Sequence, residues 1–282
     1  MIRLKKINDE VVKPVQVGSG IDPSKIKAPD LFDELYCNIF ICAKKKSGKT
    51  QVIFKILKNK VGKNTRVFFF VSTLYKDPLY IMMREYLDKK GIQWEGFTAL
   101  NEEKVDVLKE VLDQNLQPPE EEDNEVEEIK ESKNSLSCLS INDDINEIKK
   151  NKKKKKSKKD KLLAPEIIFI FDDLSRQLRS PSVVSLLKMN RHMKSMVLLS
   201  SQYPNDLQPE SIQQCDYILL FKGHPQEKLK KLWTDADLSI DEKRFLDLYH
   251  HATAEKYSFL YVDTRNESFR KGFNKEYKID QE

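Results

Sequence analysis

Residues Ala43–Thr50 read AKKKSGKT, and Ile167–Asp173 read IIFIFDD. The first stretch stands between an apolar run, Asn38–Cys42 (NIFIC), and a helix-forming run, Gln51–Val61. The second is a run of five large apolar residues tipped with two aspartates. Strand, loop, helix and then a buried strand ending in acid is the layout of a P-loop nucleotide site.

The chemistry of such a loop explains its residues. A triphosphate must be neutralised away from water. Inward-pointing backbone N–H groups and the partial positive charge of a helix N-terminus do this. Ala43, Lys44, Lys45, Lys46, Ser47, Gly48, Lys49 and Thr50 are therefore the candidate phosphate-binding loop. Gly48 lets the backbone bend and approach closely. Lys49 is long enough to reach the outer phosphates. Mg2+ prefers oxygen ligands and commonly takes a hydroxyl, a carboxylate, phosphates and water. Thr50 and Asp172 are the candidate Mg2+ ligands, the aspartate directly or through water. Asp173 is placed to orient or activate the attacking water. The expected cofactors are ATP and Mg2+. Ala43 departs from the usual G-x-x-x-x-G-K-[ST], and a methyl group there tolerates positive φ poorly. The alternative reading is a lysine-rich surface turn followed by an unrelated strand.

The 282 residues, 39% of them hydrophobic, suit one α/β domain with an embellishment or two small domains. Charge is distributed unevenly. Lys149–Lys161 holds ten lysines and one aspartate, a local net of +9, which leaves about −4 for the rest of the formal +5. Glu120–Glu131 holds eight acids and one lysine, a net of −7. Cys37, Cys42, Cys138 and Cys215 show no paired spacing and read as core or incidental thiols of a reducing compartment. His192, His224, His250 and His251 lack ligand spacing, so no zinc site is expected. The N-terminus has no apolar h-region, and no run approaches a membrane-spanning length. Neither a secretory signal nor a membrane span is expected.

Periodicity gives the organisation. Residues 1–30 read as an extended N-terminal segment. Residues 31–114 read as the first part of a P-loop ATPase domain, with strands at Asn38–Cys42, Arg66–Ser72 and Gln93–Phe97. Its helices fall at Gly48–Lys60, Asp77–Lys89 and Glu102–Leu112. Residues 115–162 lose periodicity and read as a disordered acidic and lysine-rich insertion. Residues 163–264 carry the second part, with helices at Ser182–His192, Gln226–Trp233 and Asp241–Ala252. Strands follow the acid pair at Met196–Ser200, Tyr217–Phe221 and Tyr257–Val262. Residues 265–282 form a tail. The expected fold is a P-loop NTPase three-layer α/β sandwich with a mostly parallel central sheet. Right-handed crossovers place the phosphate loop and both aspartates at the carboxyl ends of adjacent strands, along one edge of the sheet.

Asn190–Pro204 (NRHMKSMVLLSSQYP) narrows the class. Gln202, just past a buried strand, can touch the γ-phosphate or the attacking water; its alternative is a turn residue. Arg191, at a helix end facing away from its own nucleotide, can reach a neighbouring subunit's site and neutralise transition-state charge there. The alternative is a surface arginine near a helix C-terminus. Arg176 and Arg179 are weaker candidates for the same role. Asp173, Gln202 and Arg191 are thus the candidate catalytic residues.

The combination of GKT, IIFIFDDLSRQL, a helix ending NRH and a strand ending LLSSQYP resembles the genome-packaging ATPases of poxviruses and other large DNA viruses. Related proteins occur in virophages and virus-like transposons, all within the FtsK–HerA group of P-loop ATPases. The resemblance spans Asn38–Asn115 and Glu166–Val262. It implies a ring-shaped homo-oligomer that hydrolyses ATP to push double-stranded DNA into a preformed capsid. Portal or vertex proteins of the capsid would be its partners. It also implies phosphate and Mg2+ binding by Lys49 and Thr50, Mg2+ binding by Asp172, a role for Asp173 toward water, and phosphate sensing by Gln202. The expected location is the host cytoplasm, a viral factory or the nucleus, or the virion. Two other readings stay open. One is a different P-loop DNA-dependent ATPase, such as a helicase or conjugation-type coupling protein. The other is a nucleotide-binding, capsid-associated scaffold without turnover. Lys149–Lys161 has three readings: a phosphate-binding tract, a nuclear localisation signal, or a solvated spacer balanced by the acidic block.

Overall fold

Continuous apolar runs, rather than alternating ones, make the central strands, and this demands cover on both faces. The computed structural model describes residues 21–102, 105–116 and 162–278. The acidic block, Cys138 and the lysine tract lie outside the described residues, as do residues 1–20 of the expected lead-in. The strands are β1 (Asn38–Cys42), β2 (Arg66–Val71), β3 (Trp94–Phe97), β4 (Asn101–Glu102), β5 (Val105–Asp106), β6 (Ile167–Asp172), β7 (Ser195–Ser201), β8 (Tyr217–Phe221), β9 (Phe259–Asp263), β10 (Ser268–Lys271) and β11 (Lys275–Glu276). The helices are α1 (Lys49–Lys60), α2 (Pro78–Lys90), α3 (Val107–Leu116), α4 (Pro181–Met189), α5 (Pro209–Gln213), α6 (Gln226–Asp235) and α7 (Glu242–Ala252).

Nine strands form one sheet in the order β11-β10-β9-β8-β1-β7-β6-β2-β3. From β3 to β8 all neighbours run parallel, and β9, β10 and β11 add an antiparallel flank. The two-residue side-chain period of a strand divides the core into two layers. Ile39, Ile41, Phe69, Ile170 and Leu198 pack under α1 and α2. Phe40, Phe68, Phe70, Phe169 and Phe171 pack under α3, α4, α6 and α7. Stacked rings tie β2 to β6, with centroids 5.2 Å apart for Phe68–Phe169 and 5.0 Å for Phe70–Phe171. The three-layer sandwich with a mostly parallel sheet is the fold the sequence predicts.

One expectation is corrected. The loop strand β1 and the acid strand β6 are not adjacent, because β7 lies between them and pairs in parallel with both. Each of these strands is a buried apolar run, and such runs carry no signal of which neighbour they take. The inserted strand brings Gln202 between the loop and the acid pair. A second difference concerns α3, which starts at Val107 rather than Glu102. The Asp106 carboxylate accepts a hydrogen bond from the Lys109 backbone N–H (3.0 Å), an N-cap that sets the start.

Candidate functional site

The loop after β1 closes on itself before the helix begins. Ser47 donates its backbone N–H and its hydroxyl to the Lys44 carbonyl (3.3 and 2.6 Å). Lys46 and Gly48 both take the left-handed backbone conformation, at φ 62° and 91°. Gly48 is the N-cap of α1 and accepts the first hydrogen bonds of the helix from Gln51 and Val52. Glycine is required there because left-handed φ is free of cost only without a Cβ. Ala43 has no positive φ, and its N–H bonds the Ser201 carbonyl (2.9 Å) as a continuation of the sheet. Alanine is therefore accommodated without the strain its departure from glycine raised, and the left-handed turn falls on Lys46 instead.

Beneath the loop, Lys49 is buried, 8% exposed, and its ammonium donates to Asp172 Oδ1 (2.7 Å) and to Asp173 Oδ1. Asp172 is fully buried, and its second oxygen accepts the hydroxyl of Tyr80 (2.8 Å), itself wholly inside the protein. Burial pulls the Lys49 ammonium toward its neutral form, but the two carboxylates outweigh it and raise its pKa. Burial pushes the Asp172 carboxyl up, against the pull of Lys49. Burial and the adjoining Asp172 push the Tyr80 hydroxyl well above its ordinary range, so it remains a donor. Asp173 is held at φ 56°, and the next-but-one residue, Ser175, at φ 44°. Left-handed backbone at non-glycine residues costs on the order of 1 kcal/mol each and gathers at functional sites.

Lys45 to Thr50, Asp173 and Gln202 line a single open cleft of about 1120 Å³, with Thr73, Asp77 and Tyr257 on its walls. Lys44 is not on that wall. Its side chain lies along Gly223, where an added Cβ would meet Lys44 Cδ at 3.3 Å. Arg191 is elsewhere. It is exposed, 3.6 Å from Asp216, and shares a separate cavity with Asn38 and Thr264 at the amino end of β1. The five residues of β1 separate that cavity from the loop by roughly 15 Å. Of the candidates, Lys44, Arg191 and the weaker Arg176 and Arg179 do not line the cleft; the others lie at or beneath it, with Ala43 directly after β1. Tyr80 and Tyr257 were not among the sequence-predicted site residues. Tyr80 carries no local signal, since a tyrosine in the first turn of an amphipathic helix reads as core.

The Asp172 and Asp173 carboxylates, with the Thr50 hydroxyl on the same cleft as Asp173, offer oxygen donors of the kind a hard cation takes alongside phosphate and water. Among the described residues no three His, Cys, Asp or Glu side chains gather as a self-sufficient metal site. The present occupant of the acid pair is the Lys49 ammonium, a cation standing where a cation fits.

Fold and cleft together define a mixed α/β protein with a large, mostly parallel central sheet and a glycine-capped loop facing an acid pair at its carboxyl edge. No protein-family profile and no curated protein matches the chain. Among solved structures it is similar to the DNA-packaging ATPase B204 from Sulfolobus Turreted Icosahedral Virus, at 18% identity and a TM-score of 0.49, covering 87% of this chain and 98% of that one. It is also similar to the genome packaging NTPase B204 from Sulfolobus turreted icosahedral virus 2 in complex with AMP. There the identity is 14% and the TM-score 0.49, with 88% and 100% of the two chains covered. The same protein in complex with ATP-gammaS gives 16% identity and a TM-score of 0.45, covering 86% and 96%. No helix among the described residues is long and apolar enough to cross a membrane.

Proposed function

We propose that the chain is an ATP-driven DNA translocase of the virus genome-packaging kind, hydrolysing ATP in the cleft above Lys49. The observation that carries the reading is the buried Lys49–Asp172–Asp173 cluster at the head of a glycine-capped helix. Free of nucleotide, Lys49 neutralises the acid pair. With nucleotide, Lys49 would turn to the outer phosphates, and Thr50 and Asp172 would hold Mg2+, which would supply positive charge against the phosphates. Tyr80 holds the Asp172 carboxylate in place during this exchange. Asp173 takes the proton of the attacking water or aims it, and Gln202 reports on the outer phosphate. The motif resemblance adds duplex DNA as the polymer moved, a homo-oligomeric ring as the working form and capsid proteins as the docking partner.

The test is phosphate release by the assembled protein, with and without duplex DNA. Stimulation by DNA is expected, with Lys49→Ala and Asp172→Ala each lowering the rate at least about a hundredfold. Turnover indifferent to duplex DNA would sink the translocase reading, and tight nucleotide binding without turnover would favour a scaffold.

A further inference from the structure

The geometry points to Tyr257 as the platform on which the nucleotide's base stacks, an assignment that rests on the nucleotide reading of the cleft. Sheet order gives the direction. The acid strand β6 is two strands from β1 on one side, and β9 is two strands away on the other. At about 4.8 Å per strand these flanks lie about 10 Å to either side of the loop. Because β9 runs antiparallel to β8, with Phe259 opposite Phe221, the turn entering β9 sits at the cleft end of the sheet. The outer phosphates belong at the acid pair. The nucleoside must therefore leave the loop in the opposite direction, toward that turn.

Tyr257 occupies the turn. It is the aromatic side chain among the described residues lining the cleft. It is 58% exposed, so its ring is open to the cleft it lines. Its backbone is left-handed at φ 66°, a conformation that is costly for a bulky residue and that a glycine would adopt freely. Its ring edge comes so close to the loop that a Cβ added at Gly48 would meet Tyr257 Cδ1 at 3.3 Å. The Lys256 ammonium stands over the ring, 4.8 Å from its centroid, a cation at the platform where an anionic ligand would lie. The volume agrees as well. A cleft of about 1120 Å³ is far larger than a triphosphate needs and reaches the size of sites that enclose a whole small molecule. The ligand class is a purine nucleoside triphosphate, whose two-ring base offers the larger stacking area.

Equilibrium binding of ATP and of inorganic tripolyphosphate to the full chain tests the assignment. Tyr257→Ala should weaken ATP about tenfold or more and leave tripolyphosphate unchanged, while Tyr257→Phe and Tyr257→Trp keep ATP within about threefold of the parent. Unaltered ATP affinity in Tyr257→Ala overturns the assignment. So does an equal loss for both ligands, which would make Tyr257 a brace for the loop. If the parent chain binds neither ligand, the nucleotide reading itself falls and takes this assignment with it. Binding of both by the parent separates the two failures.

Discussion

Asp172 has both oxygens engaged, one by a lysine that a nucleotide would draw away and one by a tyrosine that nothing displaces. Tyr80→Phe tests the second. The hydroxyl's hydrogen bond favours the ionised carboxylate, which burial already disfavours. Its loss pushes the Asp172 pKa further up and shrinks the ionised fraction at a given pH. The acid limb of the pH–rate profile should therefore move to higher pH in Tyr80→Phe. Folding stability should fall by about 1–3 kcal/mol, the cost of a buried acceptor left without its donor. An unmoved acid limb would remove Tyr80 from the site. At this scale the sequence was most informative about the residues of the loop and the acid pair, because glycine, lysine and aspartate have few other uses in that order. Tyr80 and Tyr257 were hidden because an aromatic side chain has the same pattern whether it serves a core or a ligand.

Among the elements, α1 does two jobs. Its first residue reaches the acid pair, and its last, Lys60, is fully buried with its ammonium 2.7 Å from the Phe32 carbonyl. Burial lowers the Lys60 pKa from 10.5 to about 8, with Asp33 opposing. Between these values the unfolded chain holds a proton that the folded chain has released. Stability contributed by this group therefore rises with pH across the window. The gain between pH 8 and pH 10 should be about 2 kcal/mol. Urea unfolding at the two pH values should show it in the parent and lose it in Lys60→Met. Equal pH slopes in the two proteins would contradict it. The element boundaries show what periodicity conveys. The strand at Asn38–Cys42 was legible to the residue, since an apolar run flanked by polar chain has only one register. The late strand starts at Phe259 rather than Tyr257 because a left-handed turn, invisible to hydropathy, intervenes. The edge strand β11 and its neighbour β10 are short and mostly polar, and strands at the rim of a sheet need no apolar run.

The whole molecule is two-ended, with the cleft at the carboxyl ends of the parallel strands and Arg191 at the amino ends. Arg191 can serve only a neighbour that presents its cleft to this opposite end, a head-to-tail contact of the kind that closes into rings. Arg176 and Arg179 are exposed beside the acid pair and would serve a side-by-side neighbour instead. Mixing Lys49→Ala chains with Arg191→Ala chains distinguishes the two. If Arg191 acts across the contact, mixed assemblies should recover part of the hydrolysis that each variant lacks alone. Recovery with Arg176→Ala or Arg179→Ala chains, and none with Arg191→Ala, would assign the side-by-side arrangement. Strand order, which decides what faces what at this scale, is the property hydrophobic patterning encodes least, and the misplaced neighbour of β1 was its result.

Arg66, at the start of β2, bonds the Asn115 side chain through its guanidinium (2.9 Å) and the Glu166 carbonyl through its backbone N–H (2.8 Å). One residue thus staples together the two points between which the charged tract departs and returns, at the pole remote from the nucleotide. The domain holds these two points together through its own hydrogen bonds. A short glycine-serine tether in place of the tract should leave the fold whole, and whatever the chain then loses is what the tract was for.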